Sequence, residues 1–266
     1  MSTEHDIGIS TGAYAGSSLA TALMRIAELA PAVEVLSLGP HSLLEPVNFR
    51  AVELSDLTLS VHGPYAHADI GHRSERRHRT AMDLHRQHLS AAAELGATIY
   101  VVHPDLRRRS VPWDPKVASI LESSFEEFRE LQDQMGISIV VENMPWSRFS
   151  HFTAPGDLDL HGLGLALDVG HATLTGTLTE WLARPDTTLR HLHLHDNFGE
   201  QHLGGDTHLP LGNGIADPAL AIAKARADGA SIVLEHGSEG AVISSLNYLQ
   251  ARGLLYPTLS RREIEP

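Results

Sequence analysis

Eight short apolar runs rich in Val, Ile and Leu recur along the chain, separated by longer stretches, and this rhythm restricts the fold more than any other feature. Strands are expected near 6–10, 32–37, 57–62, 98–103, 137–142, 163–168, 190–195 and 231–235. Helical patterning falls near 17–30, 74–95, 114–135, 175–184, 216–228 and 239–252. In the third of these, Ile120, Leu121, Phe125, Phe128 and Leu131 share one side and Gly136 stops the helix. Gly96 takes the same position after the helix before it. The connections after the first two strands and after the sixth carry no comparable pattern.

Eight strands alternating with helices in a chain of 266 residues predict an α/β protein, a single (β/α)8 TIM barrel over residues 1–266. The competing architecture, a doubly wound open sheet, places its site at one crevice between two strands. Here six strand-like segments each end in a metal-binding residue type: SVHGPY (60–65), YVVHPD (100–105), IVVENMP (139–145), LALDVGHA (165–172), LHLHDN (192–197) and IVLEHG (232–237). A closed ring of parallel strands brings such scattered ends onto one face.

The chain has no cysteine, so any metal must sit on histidine nitrogen and carboxylate oxygen. A lone histidine at a strand end is more often a hydrogen-bonded polar residue than a ligand, but His62 and His103 close neighbouring strands. Glu142 and Glu235 each end an apolar strand, where a buried carboxylate without a cation or donor costs several kcal/mol or a shifted pKa. Asp168 and His171 stand three residues apart across a strand-to-loop turn and can face one ion or two adjacent ones. Period-two alternation turns His191, His193 and His195 to one side, leaving His193 and His195 equal candidates on physics alone. Asp206 and His208 form an Asp-x-His pair in the glycine-rich stretch 197–215, which reads as a functional loop.

Taken in order, HGPY, HPD, ENMP, DVGHA, HLHDN, DTHLPLGNG and LEHG resemble the strand ends of the xylose-isomerase-like TIM barrels, over residues 6 to 240. That superfamily holds sugar and sugar-phosphate isomerases and epimerases, and the endonuclease IV family of abasic-site repair enzymes. The resemblance to endonuclease IV implies up to three zinc ions on nine ligands. His62 and His103 would hold one ion with Glu142, which bridges to a second. Asp168, His193 and Glu235 would complete the second, and His171, Asp206 and His208 would hold the third. The resemblance thus selects His193 over His195. Two departures stand out: Pro-Asp follows His103 where the repair enzymes show Pro-Gly, and His195 stands where they tend to have Asn.

Two chemistries follow from that resemblance. The first expectation is a divalent-metal isomerase or epimerase of a small sugar or sugar phosphate, working through an enediolate with Glu142 and Glu235 as acid and base; zinc is the first expectation for the ion, and manganese or magnesium also suit it. The alternative is a trinuclear zinc phosphodiesterase, acting on abasic DNA or a small phosphoester. A purely metal- or partner-binding barrel is a third reading with no residue in its favour.

Charge bears on the choice. Twenty basic against 33 acidic residues give a formal −13, with Lys116 and Lys224 the only lysines. Such a field repels a phosphate backbone, which disfavours nucleic acid without excluding it. Arginines 73, 76, 77 and 79 are interleaved with His72, Ser74, Glu75 and His78, as at an ordinary helix start. Expected substrate contacts are Tyr65, Trp146 and His195, with Arg107 of the run Arg107–Arg109 as a phosphate ligand; Trp113 and Phe149 are further aromatics near the expected mouth. Asn143 and Asn197 are expected to orient ligands. His85 and His88 are expected on a helix surface. No signal peptide is evident at the N-terminus and no run approaches the roughly 20 apolar residues of a membrane span, so a soluble cytoplasmic protein is expected. An oligomer is compatible with the sequence.

Overall fold

The computed structural model describes residues 6–104, 114–145, 152–184, 189–199 and 205–255. Strands β1 (Ile7–Ser10), β2 (Ala32–Leu36), β3 (Thr58–His62), β4 (Ile99–Val102), β5 (Ser138–Glu142), β6 (Gly164–Asp168), β7 (Leu189–Leu194) and β8 (Ser231–Leu234) pair in chain order. All pairings are parallel, and β1 also bonds to β8, closing the barrel. Each strand lies within one residue of its expected ends. Around them run α1 (Leu19–Ala27), α2 (Pro46–Glu53), α3 (Glu75–Glu94), α4 (Pro115–Met135), α5 (Val169–Leu174), α6 (Leu178–Ala183), α7 (Ala219–Asp228) and α8 (Glu239–Ala251). This is a (β/α)8 TIM barrel. Among the described residues, no helix is long and apolar enough to cross a membrane.

Two helices, α2 and α5, lie outside the stretches where helical patterning was expected. Pro46 fits the first turn of α2, where its missing N–H costs nothing. α5 starts directly from β6, because the Asp168 side chain accepts the His171 N–H at 2.6 Å and caps the helix.

Side-chain parity sets the layers. Ile7, Ile9, Val33, Val35, Leu59, Val61, Tyr100, Val102, Ile139, Val141, Leu165, Leu167, Leu192, Leu194, Ile232 and Leu234 all join the core between barrel and helices. Their alternates point into the barrel, where Ile99, Val101, Val140 and Ala166 form a separate small cluster. The inward positions nearest the strands' C-terminal ends are His62, Glu142, Asp168 and His193, with Glu235 following β8. One register shift, between Leu165 and Ala166, leaves Arg190 unmatched, so Leu189 packs outward while His191 and His193 turn inward.

His85 and His88 depart from expectation: both are buried on the inner face of α3 rather than exposed. His85 shares that face with Met82, Leu89 and Ala92, and hydrogen-bonds the Tyr100 hydroxyl at 3.1 Å and the Ala68 carbonyl at 3.2 Å. Burial pushes its pKa down to about 3, and that of His88, bonded to Ser37, down to about 4. These are satisfied core histidines.

Candidate metal centre

At the C-terminal mouth three groups of donors converge, each with its ligand atoms within 4.8 Å of one another: His62, His103 and Glu142; Glu142, Asp168, His193 and Glu235; and His171, His195, Asp206 and His208. Glu142 belongs to two of them. Its Oε2 lies 3.2 Å from His62 Nε2 and 2.9 Å from His103 Nε2, while Oε1 lies 3.1 Å from His193 Nδ1. The nine residues expected from the sequence are thus brought to one mouth of the barrel by six different strands and the loop after β7.

Local bonds aim these donors. His62 donates from Nδ1 to the Gly63 carbonyl, and His171 from Nδ1 to the Asn143 carbonyl, so each presents Nε2. His208 sits at φ +45, uncommon for a side-chain-bearing residue, and its Nδ1 reaches the Glu235 carbonyl at 3.2 Å. Its Nε2 then faces Asp206 at 2.8 Å. Asn197 donates to Asp206 Oδ1 at 3.0 Å, and Asn143 clamps the Asp168 backbone from both sides, at 2.7 and 3.1 Å. Asp196 is fully buried and accepts four backbone N–H bonds, from Asn197, Gly212, Gly214 and Ala216, which shapes the loop that delivers Asp206 and His208.

His195 was expected to touch substrate. It is instead fully buried, its Nε2 3.0 Å from Asp168 and its ring stacked on His208 with centroids 4.0 Å apart. Gly170 makes room for it: a β-carbon there would lie 2.0 Å from the ring. A strand-final histidine in a chain with so many looks like a pocket residue, and only the α5 turn reveals that its ring is covered. Tyr65 does stand at the mouth, partly exposed and stacked on His103. Trp146, Arg107, Trp113 and Phe149 lie outside the described residues.

The electrostatics suit a cation. Burial would raise the Glu142 and Asp168 carboxyls, but facing histidines hold both below the usual range. The reverse holds for His171 and His193, where burial would lower the pKa and neighbouring carboxylates raise it well above the ordinary value. Glu235 Oε2 and His103 Nδ1 are buried and form no hydrogen bond. Three carboxylates packed on one histidine, one with an unbonded oxygen, fit a divalent ion.

Sequence reasoning missed one residue. Glu34, in the middle of β2, is fully buried against His191 and His193. The signal was available, since a carboxylate flanked by valines in a buried parallel strand requires a partner.

The chain belongs to the xylose isomerase-like TIM barrel family, whose model matches residues 49–252. An uncharacterized protein of Methanocaldococcus jannaschii is 30% identical over 227 residues, covering 78% of this chain and 74% of its own. A protein of Mycobacterium bovis named probable endonuclease 4 is 25% identical over 230 residues, covering 80% of this chain and 88% of its own. Among solved structures, a D-tagatose 3-epimerase-like protein superposes with a TM-score of 0.77 at 24% identity, covering 92% of this chain and 96% of that one.

Proposed function

We propose that this protein is a divalent-metal-dependent isomerase or epimerase of a small sugar or sugar phosphate. The observation that carries the reading is the donor set of Glu142, Asp168, His193 and Glu235. Three carboxylates and one imidazole suit manganese or magnesium, hard ions that take six ligands and so keep positions for two neighbouring substrate oxygens. An ion bound there would polarise a substrate carbonyl and offset the charge of an enediolate. Glu142 and Glu235 then flank the substrate carbon as base and acid, one removing its proton and the other returning one. Glu235, 17% exposed on its side chain, is the more accessible of the two to substrate. Asp168 remains a carboxylate held by its backbone clamp, and Tyr65 offers a ring face to the sugar beside His103.

The group of His171, His195, Asp206 and His208 is of another kind. Three imidazoles and one carboxylate match the four-coordinate preference of zinc and fill it. A zinc ion closed in this way would tie the 205–217 loop to β6 and β7 and would have no position left for an attacking water. That supports sugar chemistry over a trinuclear phosphodiesterase, as does the acidic balance of the chain. The phosphodiesterase reading keeps one point in its favour, that the three groups gather at one mouth and two of them share Glu142.

The test is a paired assay of metal-loaded protein. Ketoses and their phosphates are followed for epimerisation or isomerisation, and a duplex with one abasic site is followed for nicking at low and moderate salt. Manganese-dependent sugar conversion without nicking supports the proposal; nicking without sugar conversion overturns it.

A further inference from the structure

His193 differs from the other mouth histidines in the nitrogen it offers. His62, His171 and His208 bond backbone carbonyls through Nδ1 and present Nε2. His193 presents Nδ1, 3.1 Å from Glu142 and 3.3 Å from Glu235. Its Nε2 therefore points down into the barrel, where the strands' carbonyls are engaged in their own ladder. The acceptor it finds is Glu34 Oε2, at 3.2 Å; Oε1 lies 3.0 Å away as an ion-pair contact and makes no hydrogen bond.

Glu34 is itself held. His191 Nε2 approaches its Oε2 at 2.7 Å, and Ser231 Oγ meets His191 Nδ1 at 2.6 Å. The Nε2 atoms of His191 and His193 lie 3.1 Å apart, both within hydrogen-bond distance of Glu34 Oε2. All three residues have no exposed surface. A buried carboxylate between two histidines is costly to fold around, and replacing such a group by apolar residues is often neutral or stabilising. No step of the proposed reaction touches it.

We infer that Glu34 is a positioning residue for the core ion: it accepts the Nε2–H of His193 and so fixes the tautomer whose Nδ1 lone pair faces Glu142, Asp168 and Glu235, while His191 and Ser231 hold Glu34 in place. A carboxylate behind a ligating imidazole orients the ring and raises its basicity, and losing such a partner costs roughly 10- to 100-fold in metal affinity. The inference rests on the proposed divalent ion at the core group.

Metal-stripped wild type, Glu34→Gln and Glu34→Asp are titrated with Mn2+, with free ion read by electron paramagnetic resonance and folding by circular dichroism. The expected result is an affinity about 10- to 100-fold weaker in Glu34→Gln and partly recovered in Glu34→Asp. Nitrogen-15 NMR of wild-type imidazoles gives a second readout, needed if Glu34→Gln does not fold. On addition of Zn2+ or Cd2+, His193 should keep its Nε2 proton while the Nδ1 resonance shifts. Wild-type affinity in a folded Glu34→Gln overturns the inference, and so does loss of the Nε2 proton, which would lodge the ion among Glu34, His191 and His193. If wild type itself binds no ion at the core group, the metal reading and this inference fail together; the other outcomes overturn the role of Glu34 alone.

Discussion

Glu142 and His193 meet at the barrel mouth, Oε1 3.1 Å from Nδ1, although 51 residues separate them in the chain. The same carboxylate turns its other oxygen to His62 and His103, so it links two donor groups with one side chain. Replacing it by the isosteric Gln removes the charge that both groups share. Glu142→Gln is expected to lower activity to background and to release the core ion, with far-UV circular dichroism unchanged. Normal turnover by this variant would show that the site has been assigned wrongly.

Stripping metal should expose a pH dependence of known sign. His62 and His208 are pushed up to about 9: burial works to lower them, but the hydrogen bonds to Glu142 and to Asp206 outweigh it. Each then holds a proton in the folded metal-free protein that the unfolded chain releases near pH 6.5. Their stabilisation is complete below about pH 6.5 and is lost as pH rises through about 9, on the order of a few kcal/mol together. Metal ligation needs the neutral imidazoles, so affinity grows over the same window. Calorimetry between pH 6.5 and 9 should show the midpoint of the stripped protein falling while that of the loaded protein does not. A stripped protein that gains stability over this range contradicts the assignment.

His195 and Gly170 form one packing unit, since any β-carbon at Gly170 would overlap the His195 ring. His195→Asn and Gly170→Ala should each remove or weaken one zinc, measured by mass spectrometry of metal content after dialysis. The manganese affinity of the Glu142, Asp168, His193 and Glu235 group should change far less. Loss of both metals together would mean that the groups are not separable.

Asp196 carries the loop after β7 on four backbone hydrogen bonds. Asp196→Ala leaves those N–H groups, two of them buried, without their acceptor, and bonds to charged groups contribute about 1.5–3 kcal/mol each. The variant should lose at least about 3 kcal/mol in urea denaturation and bind added zinc more weakly at the proposed site of Asp206 and His208. Unchanged stability would show that water replaces the carboxylate.

The barrel was legible because parallel strands are buried on both faces and read as apolar runs. The convergence of its candidate metal donors was legible because strand ends are where a polar residue can face the mouth. His62, His103, Glu142, Asp168, His193 and Glu235 all follow that rule. What the sequence concealed depends on contacts between layers. The Nε2 of His193 needs an acceptor only once Nδ1 is known to face the carboxylates, so the role of Glu34 emerges from geometry. His195 was misread because α5, too short to show periodicity, covers it. His85 and His88 were misread because α3 is polar overall, and its burial is set by packing against β4 and α4 rather than by an apolar stripe.

Anomalous scattering from crystals soaked with manganese and zinc, recorded at each metal's edge, addresses the centre most directly. The expected result is a manganese peak within bonding distance of Glu142, Asp168, His193 and Glu235, and a zinc peak among His171, His195, Asp206 and His208. Maps with no peak beside Glu142, Asp168 or Glu235, in crystals that bind the same ions elsewhere, would contradict it.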